Sequence, residues 1–101
     1  MEHIDDIEEY IVRLQLMGSF PIMIQKVNSN KIIKVVEVLN DIKYNATIYD
    51  VMIEYRAKKG DYLIISDLTN IVPLKQNDFS TNYKKFTIKR KIETWEDEQV
   101  C

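Results

Sequence analysis

The sequence predicts an α+β fold, in which an N-terminal helix packs on a small, strongly curved antiparallel sheet or barrel of about five strands. Three observations indicate it: a helical apolar period at the start, β-branched runs separated by turn residues further on, and only two glycines and two prolines in 101 residues. A chain of this length has room for one hydrophobic core. We therefore expect a single domain over residues 1–101, with a helix at 1–18, a β-rich body at 20–92 and an acidic tail at 93–101.

The helix itself is predicted over residues 3–17. Apolar residues recur there at helical spacing and form one stripe, made of Ile4, Ile7, Ile11, Leu14 and Met17. Acidic residues crowd the first turns, where the helix dipole favours negative charge, and Gly18 followed by Pro21 marks the end. We expect the stripe to lie in the core. The alternative is that it forms the seam of a homodimer.

Strands are predicted in the body of the chain. Residues 20–27 and 31–39 are rich in β-branched side chains and flank Asn28-Ser29-Asn30, a pattern typical of a hairpin. Residues 46–55 fit both an alternating and a helical period, and the strand is preferred because Thr, Ile, Val and Tyr favour strands. A turn at 58–61 then leads to residues 62–65, which are expected to be the partner strand of 46–55.

The remaining segments complete the prediction and leave one alternative fold open. The polar segment 75–82 is predicted to be a loop, and the alternating segment 84–92 the last strand. In the alternative, a winged helix, residues 32–42, 46–58 and 63–74 are helical and 84–92 lies in the wing. The β-branched residues at the start of 32–42 argue against this alternative, because they lose rotamer freedom in a helix.

Residues 49–74 carry a resemblance to a known fold family. A strand pair around a glycine turn is followed by an Asp-Leu step and a closing apolar segment, as Tyr49-Asp50-Val51, Gly60-Asp61-Tyr62, Asp67-Leu68 and Ile71-Val72-Pro73-Leu74. This arrangement resembles SH3-like small β-barrels of the Tudor and KOW kind, and the resemblance implies a barrel fold. The aromatic cage with which Tudor domains bind methyl-lysine is not recognisable in the chain, so that activity is not carried over.

The sequence offers few groups for catalysis, and we expect neither an enzyme nor a bound cofactor or metal. The one histidine, His3, lies in the first turn of the predicted helix, and the one cysteine, Cys101, has acidic neighbours that would raise its thiol pKa. Gly18 and Gly60 are isolated, so no phosphate-binding loop is formed. A single cysteine fits a reducing compartment, the cytoplasm, and no apolar run approaches the length needed to span a membrane.

Tyrosines mark the first candidate binding surface. Four of them lie close together around the predicted third and fourth strands and are the protein-binding candidates: Tyr44, Tyr49, Tyr55 and Tyr62. Tyrosine is favoured at interfaces because it brings a large contact area at a small entropic cost. Abundant Ile, Lys and Asn residues indicate an AT-rich genome. We therefore expect a phage or mobile-element accessory protein or inhibitor, which docks on a host protein or protein complex and modulates it.

Basic residues mark a second candidate surface near the end of the chain. The segment 84–91 carries five cations, Lys84, Lys85, Lys89, Arg90 and Lys91, with Tyr83 and Phe86 beside them. Cations that follow a phosphate backbone, together with aromatic rings on which bases can stack, are typical of nucleic-acid binding. A nucleic-acid-binding regulator is therefore the alternative function. Lysines on an edge strand also protect it from aggregation, which is the structural explanation of the same pattern.

Overall fold

The computed structural model describes residues 1–86, whose strands form two sheets with two helices beside them. The elements in chain order are β1 (Glu2–Ile4), α1 (Ile7–Leu16), β2 (Ile22–Lys26), β3 (Ile32–Glu37), β4 (Ile42–Ile48), β5 (Val51–Ala57), β6 (Tyr62–Ile64), β7 (Val72–Leu74), α2 (Gln76–Asn82) and β8 (Tyr83–Lys85). The first sheet has the order β1-β4-β5 and the second the order β7-β6-β3-β2-β8. The predicted α+β class is confirmed. The tail at 93–101 lies outside the described residues.

The N-terminal helix is shorter than the predicted span 3–17. Asp6 is its N-cap, and the Asp6 carboxylate accepts hydrogen bonds from the backbone N–H groups of Glu8 and Glu9 at 3.1 and 3.2 Å. The residues before it form β1 instead, which pairs in parallel with β4 and places Ile4 opposite Tyr44. Ile4 is therefore buried, but as a strand residue. The helical spacing of Ile4 with the later apolar residues misled the prediction, because a long-range pairing overrides it.

The hairpin predicted around Asn28-Ser29-Asn30 is confirmed. β2 pairs antiparallel with β3 from Ile22 opposite Val35 to Gln25 opposite Ile32. Asn28 has a φ of 64°, a left-handed conformation that asparagine tolerates better than most residues.

The next hairpin differs from the prediction. Residues 46–55 are not one strand, because a turn at Tyr49 and Asp50 divides them between β4 and β5, which pair with each other. The strand at 62–65 was wrongly expected to pair with this segment. β6 instead lies between β3 and β7 in the second sheet. Tyr-Asp is a rare sequence for a tight turn, so the pattern gave no signal there.

The expected single sheet of about five antiparallel strands is also corrected. The described residues form eight strands in two sheets, one of which includes the parallel β1–β4 pair, and these strands close no barrel. The winged-helix alternative is wrong, because its three proposed helices fall on β3, β4, β5, β6 and β7. Neither helix of the described part of the chain is long and apolar enough to cross a membrane.

The predicted loop at 75–82 contains α2, and long-range contacts explain why. The side chain of Lys75, the N-cap residue, makes no capping hydrogen bond to α2, but the Asp61 carboxylate accepts one from the backbone N–H of Gln76 at 3.0 Å. The ring of Phe79 stacks on Tyr62, with the two centroids 4.1 Å apart. A cap supplied from 15 residues earlier is invisible to local sequence patterns.

Two apolar clusters hold the elements together. The larger one joins α1, the first sheet and one face of the second sheet, and includes Leu14, Val36 and Ile42. The smaller one lies on the other face of the second sheet, where Ile24, Ile33, Val35 and Leu74 are buried. Ile4, Ile11 and Leu14 are buried and Ile7 packs against the larger cluster, so most of the predicted stripe is core. Met17 is an exception and is exposed.

Asp61 is the one buried charged residue of residues 1–86. Its carboxylate accepts hydrogen bonds from the backbone N–H groups of Lys58 and Gln76, at 2.9 and 3.0 Å, and lies 3.5 Å from Lys75 Nζ. Burial alone would raise the pKa of Asp61. The two N–H donors and the Lys75 ammonium together outweigh burial, so that the pKa lies below its ordinary value.

Asp61→Asn is expected to lower the free energy of unfolding by about 1–3 kcal/mol at neutral pH, because the new amide N–H₂ group would face backbone donors. A lowered pKa means that the carboxylate stabilises the fold fully above the ordinary aspartate pKa of about 3.9 and loses this effect as the pH falls through the lower, folded-state pKa. Urea unfolding of the wild type and the variant at several pH values measures this contribution of Asp61 to the free energy of unfolding. A difference between wild type and variant that stays constant into the acid range would contradict the assignment.

Candidate protein-binding surface

The β4–β5 hairpin carries three of the four tyrosines predicted to bind a protein. The two strands pair without interruption from Ile42 opposite Ala57 to Ile48 opposite Val51. Two residues connect them, Tyr49 with a φ of 50° and Asp50 with a φ of 63°. Two positive φ values in a two-residue loop are typical of a type I′ turn, whose twist matches that of the strands. The turn thus holds Tyr49 at the tip of a regular hairpin.

The hairpin is amphipathic. Directly opposite residues of an antiparallel pair share a face, so the register divides the side chains into two sets. One face is wholly apolar and consists of Ile42, Tyr44, Ala46, Ile48, Val51, Ile53, Tyr55 and Ala57. We call it the hairpin face. The opposite face is mainly polar, with Lys43, Asn45, Thr47, Met52, Glu54 and Arg56.

The hairpin face extends from the core into solvent. Ile42, Tyr44 and Ala57 at its base are buried, whereas Ile53 further along is half-buried. At the tip, Val51 is 60% exposed and Tyr49 is 96% exposed, and Met52 on the other face is 70% exposed. An apolar surface that is continuous with the core but uncovered at its outer end is typical of an interaction site.

The base of the hairpin is anchored by Tyr44. Its hydroxyl donates a hydrogen bond to the carbonyl oxygen of Ile71 at 2.9 Å, and its ring lies 5.5 Å from that of Tyr55. Burial raises the pKa of Tyr44 well above its ordinary value, and Tyr55 adds to this effect. Tyr44 is therefore buried support for the hairpin, while the half-buried Tyr55 presents part of its ring to solvent.

Tyr62 lies apart from the other three. It belongs to β6 in the second sheet, where its ring stacks on Phe79, and burial raises its pKa. The structure thus brings together Tyr44 and Tyr55 only, and leaves Tyr49 alone at the tip. Val51, Met52 and Ile53 were not among the predicted site residues, although their alternation with polar residues could have indicated them once a turn at Tyr49 was recognised.

The predicted basic surface is divided by the geometry of β8. Lys84 and Lys85 are neighbours in a strand, so their side chains point to opposite faces of the second sheet. Lys84 shares its face with Lys34, because Gln25 is opposite Lys84 and Met23 is opposite Lys34. Phe86 donates its backbone N–H to Met23 and belongs to the same face. Lys89, Arg90 and Lys91 lie outside the described residues.

A polar network near the N-terminus has a structural role. The Glu2 carboxylate accepts hydrogen bonds from Arg13 and Asn40, both at 2.8 Å, and Asn40 accepts one from the Tyr10 hydroxyl at 2.6 Å. The hydrogen bond from Arg13 lowers the pKa of Glu2 despite its exposure. These contacts fasten β1 and α1 to the segment before β4.

A cleft of about 220 Å³ lies beside this network. The acidic side chains that line it include Glu2, which is paired with Arg13, and Asp6, which caps α1. His3 lies there too, with its Nε2 atom 3.2 Å from an Asp5 carboxylate oxygen. Within residues 1–86, no three His, Cys, Asp or Glu side chains are grouped so as to hold a metal ion. Two of the acidic groups of the cleft, Glu2 and Asp6, thus serve an ion pair and a helix cap.

Tyr44→Phe is expected to destabilise the fold by about 1–3 kcal/mol, because the buried carbonyl of Ile71 loses its donor while the ring packing is kept. Tyr55→Phe is the matched control, since the Tyr55 hydroxyl has no hydrogen-bond partner in the described part of the chain. Thermal or urea unfolding measures both. Equal losses in the two variants would show that the Tyr44 hydroxyl does not anchor the hairpin.

Comparison with known proteins adds no relative from which a site could be transferred: no family model, no curated protein and no solved structure matches this chain.

Proposed function

We propose that this chain is a small non-catalytic binding protein that docks on a host protein through the outer half of the hairpin face. The proposal includes an origin in a phage or other mobile element, action in the cytoplasm, and modulation of the bound host protein or complex. The observation that carries it is the outer end of the hairpin face, where Val51 is exposed next to the exposed Tyr49 at the tip of a hairpin rooted in the core. The resemblance of residues 49–74 to SH3-like barrels stays a prediction.

The backbone at the tip supports a functional role for Tyr49. A left-handed conformation costs an ordinary L-residue about 1–2 kcal/mol, and Asn or Gly usually occupies such positions in a type I′ turn. Tyr49 adopts it at φ 50°, and within residues 1–86 its side chain, 96% exposed, has no packing contact that would offset the strain. Strained residues persist where function requires them. A large aromatic ring presented at a fixed position is what a docking contact needs.

Tyr49→Asn is expected to raise the free energy of unfolding by about 0.5–1 kcal/mol, since Asn fits the turn, and to reduce capture of the host protein. Val51→Lys should also reduce capture, because it places a charge on the hairpin face. The measurement is affinity capture from a host lysate with each immobilised variant, together with thermal unfolding. A gain in stability with a loss of capture cannot be attributed to misfolding.

Thr47→Lys is the matched control, since Thr47 is exposed on the polar face of the same hairpin. It should capture the partner as the wild type does. If the wild type recovers no partner in stoichiometric amount, or if all three variants capture it equally, docking through the hairpin face is wrong.

Nucleic-acid binding is the second candidate, and one observation favours it. Lys34, Lys84 and Phe86 share a face of the second sheet and are all exposed, with Lys84 next to Phe86 along β8 and Lys34 across Met23 from it. Cations next to an accessible aromatic ring can hold a phosphate backbone while a base stacks.

Replacing Lys84 by Glu should then weaken retention of single-stranded DNA or RNA at ~100 mM salt more than replacing Lys85, which points to the other face. Adding Lys34→Glu to Lys84→Glu should weaken it further and flatten the dependence of affinity on salt. Fluorescence anisotropy with a labelled oligonucleotide measures both. Absence of salt-dependent binding by the wild type would exclude this function.

A further inference from the structure

The outer edge of β5 offers unpaired backbone groups. β5 is the last strand of the first sheet, and no strand of the described residues pairs with its outer side. Hydrogen-bonded and non-hydrogen-bonded pairs alternate along a hairpin, and the pair that closes a two-residue turn is hydrogen-bonded. The N–H and C=O groups of Val51, Ile53 and Tyr55 therefore point towards β4. Those of Met52, Glu54 and Arg56 point outwards.

One contact supports this assignment and limits the free edge. The carbonyl oxygen of Arg56 accepts a hydrogen bond from Lys75 Nζ at 3.0 Å, so it does point away from β4. Lys75 follows β7, which lies against the base of β5. The free part of the edge thus runs from the turn to Glu54, with Met52 and Glu54 as its outward-facing residues.

We propose that a second copy of this chain pairs with this edge, with β5 antiparallel to β5 of its partner about a two-fold axis. The result is a continuous six-stranded sheet made of two three-stranded sheets. An interface of this kind is isologous, because each copy contributes the same residues. The proposal stands apart from the proposed function, since it needs no host protein.

The charges on β5 select one register. If Glu54 faced Glu54, like charges would be directly opposite, and if Met52 faced Met52, Glu54 would face Asp50. A register whose two-fold axis lies closer to Arg56 would need the Arg56 carbonyl oxygen to accept a hydrogen bond from the second copy. That oxygen already accepts a hydrogen bond from Lys75 Nζ. The remaining register pairs Met52 of each copy with Glu54 of the other.

This register is complementary in both side chains and charge. Ile53 faces Ile53, and Val51 of each copy faces Tyr55 of the other, so apolar residues meet on the hairpin face. Asp50 at the tip of one hairpin falls opposite Arg56 at the base of the other. Arg56 also pairs with Glu54 of its own strand at 3.2 Å, and Lys75 pairs with Asp61 at 3.5 Å, so the acidic tip meets one guanidinium that it shares with Glu54. This charge match is the argument for a second copy as the occupant.

The geometry of the dimer also bears on the proposed function. Antiparallel pairing within one sheet places the two-fold axis perpendicular to the sheet, so the same face of both copies lies on the same side. The two hairpin faces then form one apolar surface of twice the width. A host protein would meet a symmetric surface and not a single hairpin.

Sedimentation of the purified protein from about 5 to about 500 µM tests the dimer, a range suited to a small, weak interface. The mass should rise with concentration from the 12.0 kDa of one chain towards twice that value. Asp50→Arg and Arg56→Asp should each weaken association about tenfold or more, because each change replaces two attractive contacts by repulsive ones. The double variant, with both charges exchanged, should associate more tightly than either single variant, but less tightly than the wild type, because the exchange also removes the Arg56–Glu54 ion pair.

Met52→Pro provides a test that does not depend on charge. The Met52 N–H points outwards, so proline removes no hydrogen bond to β4, yet it blocks strand addition. This variant should stay monomeric with an unchanged circular dichroism spectrum. The proposal is overturned if the wild type is monomeric throughout, if folded Met52→Pro still dimerises, or if the double charge-exchange variant associates no more tightly than either single variant. If the wild type dimerises but captures no host protein, that result contradicts the proposed function alone.

Discussion

The carboxylate of Asp61 is the contact on which the arrangement of the two sheets depends. It binds the turn that follows β5 through Lys58, and it caps α2 through Gln76. The backbone of the same turn bonds to Val38, next to β3, through Gly60 and Asp61. One buried anion therefore connects the first sheet, the second sheet and the second helix. Its charge can be buried because fixed N–H dipoles and Lys75 replace the water that it loses.

The base of the β4–β5 hairpin is held in place next to the Asp61 contacts, whereas its tip extends away from them. Tyr44 and Ala57 are packed in the larger cluster, so the strands leave the core with a defined direction and twist. The turn at Tyr49 then lies beyond the reach of the core contacts. A rigid base with an apolar, strained end concentrates the accessible apolar surface of this sheet in one place, and none of the strands within residues 1–86 pairs with the outer edge of β5.

Local patterns predicted those elements that local physics determines. The β2–β3 hairpin follows from β-branched runs and a turn rich in Asn, and the core role of Ile11 and Leu14 follows from helical spacing. Elements formed by distant contacts were missed: β1 needs β4, and α2 needs Asp61 and Tyr62. Composition indicated Tyr49 as a binding candidate but could not separate it from the buried Tyr44, since exposure depends on which strands pair.

Strand β3 contributes a buried residue to each of the two clusters, Val35 to the smaller one and Val36 to the larger. Phe79 of α2 packs against the smaller cluster, and α2 is a helix of seven residues that carries no buried side chain. Local unfolding of α2 would expose this side of the smaller cluster and leave the larger cluster intact. We therefore expect unfolding of α2 to cost less free energy than unfolding of the larger cluster. Amide hydrogens of α2 would then exchange with solvent by a local fluctuation, and those of β4 only when the larger cluster itself comes apart.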